Sequence, residues 1–118
     1  MKRTITLPYP DPKLSPNRKN GSHWGSTKQA KDKAKEAGFY MARIVYASVK
    51  VESVPMPLTI TFTQSDKRKR DLDNLLAASK PSIDGVAMGM GIDDSLFEPI
   101  TVKRAYDLSA YMTIEIGE

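Results

Sequence analysis

The sequence predicts an α+β fold: one small domain over residues 1–118, with a four-stranded mixed sheet and helices packed on one face. Two observations predict it. Short segments in which apolar and polar residues alternate are typical of half-buried strands, and they are separated by longer segments whose apolar residues recur at helical spacing. The length of 118 residues suits a single domain. The predicted order of elements is β-α-β-α-β-β.

The first strand and first helix are separated by a long loop. Residues 4–7 alternate and predict a short strand, and the loop over 8–24 is long for so small a domain. Ser26 and Gln29 have capping-box spacing and predict a helix over about 27–48. Its expected apolar stripe consists of Ala30, Ala34, Ala37, Met41, Ile44 and Val45.

The second strand and second helix follow without a long loop. Residues 58–63 alternate cleanly and predict a half-buried strand. A helix is predicted over about 72–87, and Pro81 is expected to kink it or to divide it, because proline removes a backbone hydrogen bond. The glycines at 85, 89 and 91 are expected to loosen the chain that follows.

Two further strands are predicted near the end of the chain, at residues 100–102 and 111–116. We expect residues 107–110 to join them as an antiparallel hairpin, so that they are neighbours in the sheet. The second and third strands are separated by a helix, which allows them to run parallel.

Composition excludes several classes of site. The chain has no cysteine and one histidine, which excludes disulfides, thiolate-bound zinc and a Cys/His nucleophile pair. No apolar segment approaches the length of a membrane span, and no signal-peptide core follows the first residues. We therefore expect a soluble, cytoplasmic protein with no membrane partner.

Basic residues are concentrated in the first part of the chain. Residues 1–50 carry 11 Lys/Arg and 3 Asp/Glu, whereas residues 51–118 carry 7 and 11. This uneven excess favours a polyanionic partner such as DNA, although an ordinary basic protein is the alternative. The residues predicted to bind DNA are Arg18, Lys19, Lys28, Lys31, Lys35, Lys67, Arg68, Lys69 and Arg70. Lys28, Lys31 and Lys35 are equally consistent with a solvated helix face, and Trp24 with either a base-stacking role or a core contact.

The most informative motif places acidic residues directly after a basic run. Lys67–Arg70 precedes Asp71 and Asp73, and a second acidic pair, Asp93 and Asp94, comes about twenty residues later. A segment that attracts phosphate beside carboxylates that repel it is consistent with a divalent cation between them. Mg²⁺ is held by a few carboxylates, waters and substrate phosphate oxygens. The pattern predicts metal-assisted chemistry at a phosphodiester.

The geometry of these acids leaves alternatives open. Asp71 and Asp73 face the same way only in extended chain, so they bind one ion only at a strand-to-helix junction. Asp94 is the predicted third ligand, and Asp93 an outer or second one. The alternatives are helix capping for Asp71 and Asp73 and a solvated turn for the later pair.

The tract from Arg68 to Leu75, the later Gly91-Ile92-Asp93-Asp94 and the early Ser15–Arg18 resemble the RusA family of Holliday junction resolvases. The resemblance spans nearly the whole chain. It implies a homodimeric, Mg²⁺-dependent crossover junction endodeoxyribonuclease, with Mn²⁺ as an alternative ion, that makes paired cuts across a four-way DNA junction. The essential acids of that family map onto Asp71, Asp73 and Asp94.

The sequence departs from the family at one position. The family commonly has a catalytic lysine shortly after the Asn-Leu pair, where this chain has Leu76-Ala77-Ala78. The nearest lysine, Lys80, is expected on nearly the same helix face as Ala77 and is the predicted catalytic lysine.

A two-fold homodimer is expected because two symmetric cuts need two sites and one chain carries one acidic cluster. Its contacts are expected from apolar residues such as Phe39, Tyr40, Tyr46 or Phe97. Two other functions remain open: a catalytically inactive DNA-binding module, and a metal-dependent phosphoesterase acting on flaps, other branched DNA or small nucleotides.

Overall fold

A computed structural model describes residues 2–15 and 24–118, with the backbone alone for residues 24–26. Within these ranges, the fold is the predicted α+β domain with a four-stranded mixed sheet. Its elements are β1 (Arg3–Pro8), α1 (Trp24–Val45), β2 (Met56–Gln64), α2 (Leu72–Ala78), α3 (Lys80–Met90), β3 (Phe97–Tyr106) and β4 (Tyr111–Ile116). Short 3-10 turns at Pro12–Leu14 and Asp94–Leu96 complete them.

The order of strands in the sheet is β1-β4-β2-β3. β2 and β3 are parallel, as expected, and β4 runs antiparallel to both β1 and β2. The predicted hairpin between the last two strands is therefore wrong, because β2 lies between them. Their short connection passes the end of β2, where the Asp107 N–H donates a hydrogen bond of 2.9 Å to the Gln64 carbonyl. Strand periodicity identifies both strands but does not specify their neighbours.

The two faces of the sheet differ as the alternation predicts. The face toward the helices is apolar, and its side chains are buried: Ile5, Leu7, Leu58, Ile60, Phe62, Met112, Ile114 and Ile116. The opposite face carries mainly threonine, at 4, 6, 59, 61 and 113. Residues of α1, α2 and α3 complete the core cluster on the apolar side.

Helices α1 and α3 approach each other closely because three glycines lie between them. A Cβ atom added at Gly85 would collide with the carbonyl of Lys35, and one at Gly38 with the carbonyl of Ser82. Gly89 lies in the same way against Phe39. Gly85 and Gly89 thus tighten the helix pair, and the expectation that they loosen the chain is wrong.

The ends and buried faces of the helices depart from prediction in detail. α1 begins at Trp24, so Ser26 lies inside the helix and is not its cap. Ala42 is fully buried, whereas Ile44, expected in the apolar stripe, is 67% exposed. The predicted division at Pro81 is confirmed. α2 and α3 are separate helices, and Pro81 lies in the first turn of α3, where its missing N–H costs no helical bond.

None of the helices in the described part of the chain combines the length and apolar content that crossing a bilayer requires.

We predict that Gly85→Ala destabilises the domain by roughly 1–3 kcal/mol, because the added methyl group has to push the Lys35 backbone aside. Urea unfolding monitored by circular dichroism measures the change. Met88→Ala is the control, since Met88 lies on the same helix with 53% of its surface exposed and is expected to change stability little. Equal stability of Gly85→Ala and the parent would contradict the close packing.

Candidate functional site

The first group of acidic side chains lies where the chain leaves its extended conformation and enters α2. Asp71 precedes the helix with extended backbone angles, and Asp73 lies in the first helical turn. Asn74 connects them: its side-chain amide donates to the Asp71 carboxylate at 3.5 Å, and its backbone N–H donates to the Asp73 carboxylate at 3.0 Å. Asp71 and Asp73 are both exposed.

Asp71 occupies the position of a helix cap without acting as one. Its side chain makes no capping hydrogen bond to the helix backbone. The capping alternative therefore does not account for this carboxylate, which is free to accept from a ligand as well as from Asn74. Asp73, in contrast, accepts from the Asn74 N–H, which is one of the free N–H groups of the helix start, so the capping alternative accounts for part of its hydrogen bonding.

A second group, here called the Asp94 cluster, consists of Lys80, Asp84 and Asp94. The Lys80 ammonium lies 3.8 Å from the Asp94 carboxylate. Asp84 lies within hydrogen-bonding reach of Asp94, and its pKa is raised, first by burial and then by that neighbouring carboxyl group. The positive charges of Lys80 and Lys35 lower the pKa of Asp84, but they do not cancel its rise. The carboxyl groups of Asp84 and Asp94 are thus close neighbours.

Asp93 has a separate structural role. Its carboxylate accepts a hydrogen bond of 2.9 Å from the Ser95 N–H and so caps the 3-10 turn at Asp94–Leu96. That bond from the Ser95 backbone lowers the pKa of Asp93. One oxygen of the Asp93 carboxylate is thus engaged in the turn, and the prediction of Asp94 as the metal ligand stays a prediction.

The three lysines of α1 that are predicted to bind DNA, Lys28, Lys31 and Lys35, lie in two different environments. Lys31 and Lys35 line a groove of about 540 Å³ together with Lys80 and Asp84. Lys28 instead makes a salt bridge of 2.8 Å to Asp32 one turn away. The close approach at Gly85 sets this arrangement, because it brings the backbone of Lys35 against α3 beside Asp84.

The predicted metal ligands are distributed over these two groups. Among residues 2–15 and 24–118, no three His, Cys, Asp or Glu side chains are placed so that they could hold one ion together. The structure brings Asp73 to Asn74 and Lys80 to Asp94, but it does not gather Asp71, Asp73 and Asp94 into one set of three. Metal binding by these residues stays a prediction.

The expected helix-face relation between Ala77 and Lys80 is wrong, since the helix is interrupted at Ser79 between them. Lys80 reaches the acidic cluster in another way, from the first turn of α3. Its 3.8 Å contact with Asp94 keeps it beside the acids that the sequence singled out.

The basic run before Asp71 is pinned at its last residue. Arg70 binds both carboxylate oxygens of Asp66, at 2.8 and 3.3 Å, and its guanidinium lies 5.9 Å from the centre of the Tyr9 ring. The buried Gln64 side chain also donates to the Arg68 carbonyl at 3.0 Å. Arg70 is thus engaged within the domain, whereas the side chains at 67, 68 and 69 are exposed.

Several predicted residues lie outside the described part of the chain. Arg18 and Lys19 belong to the segment 16–23, and the side chain of Trp24 is not described either. Their predicted contacts with DNA stay predictions.

Asp84 is a candidate site residue that the sequence analysis did not identify. A signal was present, because Asp84 follows Lys80 by four residues and so lies on the same helical face. Its closeness to Asp94 required the turn after α3, where Gly91 takes a left-handed φ of 78° and ends the helix.

Comparison with known proteins adds a relative but no family. No family model matches the chain. A protein of Xylella fastidiosa (strain Temecula1 / ATCC 700964), described as uncharacterized, is 37% identical over 98 residues, which cover 80% of this chain and 62% of the relative. The chain therefore spans about three fifths of the length of that curated relative. Function has to be argued from the site.

We predict that Asp66→Asn destabilises the protein at pH 7 and not in acid. The pairing with Arg70 lowers the pKa of Asp66 below its ordinary value of 3.8. A lowered pKa means that the stabilisation is complete above pH 3.8 and is lost as the pH falls through the lowered value. Melting temperatures of the parent and the variant are measured across pH 2.5–7. The difference between them is expected to close in acid. Glu52→Gln, at an exposed carboxylate, is expected to show no such gap; a gap independent of pH would contradict the pairing.

We predict that Asp84→Asn stabilises the metal-free protein at pH 7. Because its pKa is raised, the native state holds a proton on Asp84 more tightly than the unfolded chain does, so ionisation costs stability. A small rise in melting temperature is expected, because Asp84 is only partly buried and solvent screens the repulsion. Glu36→Gln on α1 is the matched control. A lower melting temperature for Asp84→Asn would contradict the repulsion between the two carboxyl groups.

Proposed function

We propose that this protein is a Mg²⁺-dependent endonuclease that cuts four-way DNA junctions as a homodimer. The observation that carries the proposal is the Asp94 cluster: two carboxyl groups in contact, one with a raised pKa, flanked by lysines at the edge of a groove. Perturbed carboxyl groups in a cleft are characteristic of functional sites. The resemblance of the acidic motifs to RusA resolvases supplies the reaction.

The donor chemistry of the site fits Mg²⁺. This ion is usually held by one or two carboxylates and completes its shell with water and substrate phosphate oxygens. The pair of Asp84 and Asp94 offers such oxygens, and Asp71 and Asp73 offer a second exposed pair. When bound, Mg²⁺ supplies an acidified water and neutralises charge on the phosphate.

The lysines of the groove bind and orient the phosphate. Lys80 lies 3.8 Å from Asp94 with half of its side chain exposed, so its ammonium can donate to a phosphate oxygen as a second partner. Lys31 and Lys35 line the same groove from α1 and neutralise the neighbouring backbone charge. Asn74 holds the Asp71 carboxylate by a hydrogen bond and thereby orients it.

Basic side chains outside the groove bind DNA farther from the cut. Lys67, Arg68 and Lys69 are exposed on the loop that leads to Asp71. Lys28 and Arg70 contribute less, since each already pairs with an aspartate of the domain. Binding through such contacts weakens steeply with salt, because each one releases counterions from the DNA.

The homodimer follows from the substrate. Paired cuts on two strands of a junction require two sites related by two-fold symmetry. Tyr40 and Ile44, one turn apart on α1, are 58% and 67% exposed and are the apolar candidates for the contact between subunits. Phe97, expected among these contacts, is 4% exposed in the core and is not available.

One observation favours the alternative of a catalytically inactive DNA-binding module. In the described ranges, no three potential ligands are gathered for one ion. Such a module would use the basic groove and loop for affinity and would leave the phosphodiester intact.

We predict that the protein nicks a synthetic four-way junction in Mg²⁺ and that Asp71→Asn or Asp73→Asn lowers the rate at least roughly a hundredfold. Junction binding in EDTA should be unchanged or tighter, because negative charge near the phosphates is removed. Gel assays on a junction, a flap, a duplex and a single strand measure cutting and binding together.

Glu52→Gln removes one exposed carboxylate outside the proposed site and should cut at the parent rate. Tight junction binding without Mg²⁺-dependent cutting by the parent would support the inactive module. Faster cutting of flaps than of junctions would favour a different branched substrate. Cutting by Asp71→Asn at the parent rate would contradict the assignment of the acids.

A further inference from the structure

A second concave site lies directly beside Asp71. It is a pocket of about 320 Å³ between the proline-rich segment after β1 and helix α2. Pro10, Leu75 and Ala78 are buried and form its depth, whereas Lys69 and Asp71 are exposed at its rim. An apolar interior with a few polar groups at its edge is the usual composition of a site for a small flat ligand.

Tyr9 supplies an aromatic side chain that is held in place. Its ring meets Phe62 edge to face at 6.3 Å, and the Arg70 guanidinium lies 5.9 Å from its centre. Arg70 is itself fixed by Asp66. Aromatic rings and guanidinium groups that are already ordered are the surfaces on which unstacked bases of nucleic acids are bound.

The position of the pocket indicates which ligand it takes. Asp71 and Asn74 line it and also belong to the proposed cutting site. A phosphate placed at Asp71 therefore has its own nucleoside within reach of the pocket, and Lys69 at the rim attracts the connecting backbone. Its volume of about 320 Å³ suits one nucleobase.

We propose that this pocket binds a single unstacked nucleobase next to the phosphate that is cut. The inference rests on the proposed function, since it assumes that DNA passes Asp71. It extends that function by assigning a base-binding subsite, which makes cutting dependent on the nucleotide beside the scissile phosphate. Taking a base out of the stack costs free energy, and the cost is least for a base that is already unpaired.

The test combines abasic substitutions in the DNA with variants of the pocket. Junctions that lack one base at each position around the cut are titrated in EDTA, so that no strand is cleaved. The parent should bind one of these junctions about tenfold more weakly than the intact one, the effect of losing one stacked base. Tyr9→Leu removes the ring, and Ser15→Phe narrows the pocket from the half-buried Ser15.

Each variant should bind the intact and the abasic junction with equal affinity. The variant has already lost its contact with the base, so removing that base from the DNA costs nothing more. Ser109→Phe, in the exposed turn between β3 and β4, is the matched control and should keep the tenfold difference. Circular dichroism checks that each variant is folded. If Tyr9→Leu is unfolded, the test is made with Ser15→Phe alone.

The outcomes separate this inference from the proposed function. If the parent cuts junctions but Ser15→Phe keeps the full abasic penalty, the base lies elsewhere and the inference is overturned, as it also is if no position shows a penalty. If the abasic penalty disappears in the variants while Mg²⁺ produces no cutting, the base site stands and the nuclease proposal fails. A protein that binds no DNA overturns both.

Discussion

The close contact between α1 and α3 is the constraint on which the rest of the site depends. Gly38, Gly85 and Gly89 remove the side chains that would hold the two helices apart. Lys35 therefore lies against α3 at the level of Asp84, and the basic face of α1 becomes one wall of the groove whose other wall carries Lys80. A methyl group at Gly85 would collide with the Lys35 backbone and push the two walls of the groove apart.

The division between α2 and α3 has a comparable effect on the acids. Ser79 is fully buried, and its hydroxyl donates to the Leu76 carbonyl at 2.8 Å, which closes α2 and lets α3 begin at Lys80. Asp71 and Asp73 are consequently carried by one helix start, and Lys80 and Asp84 by another. The acidic residues are therefore held in two groups, one at the start of α2 and one formed by α3 and the turn that follows it.

Much of this architecture could be predicted from local pattern. Alternation located all four strands, and Pro81 located the division of the second helix. The neighbours of β4 could not be predicted, because periodicity carries no information about which edge a strand joins. The role of Gly85 was missed for a similar reason, since a glycine in a helix is informative only when the facing helix is known. Charge and motif single out Asp71, Lys80 and Asp94, whose roles stay predictions, whereas Asp84 is recognised only from its closeness to Asp94 in the fold.

The contrast between Asp66 and Asp84 is the physical argument for a functional site. Asp66 is paired with Arg70, and this pairing lowers its pKa, so the loop before α2 is stabilised by its own charges. Asp84 is partly buried beside a second carboxyl group, and its pKa is raised even though two lysines oppose the shift. Carboxylate charge is thus paired at Asp66 and repulsive at Asp84, beside a basic groove. In the nuclease proposal, Mg²⁺ is the cation that would offset this repulsion.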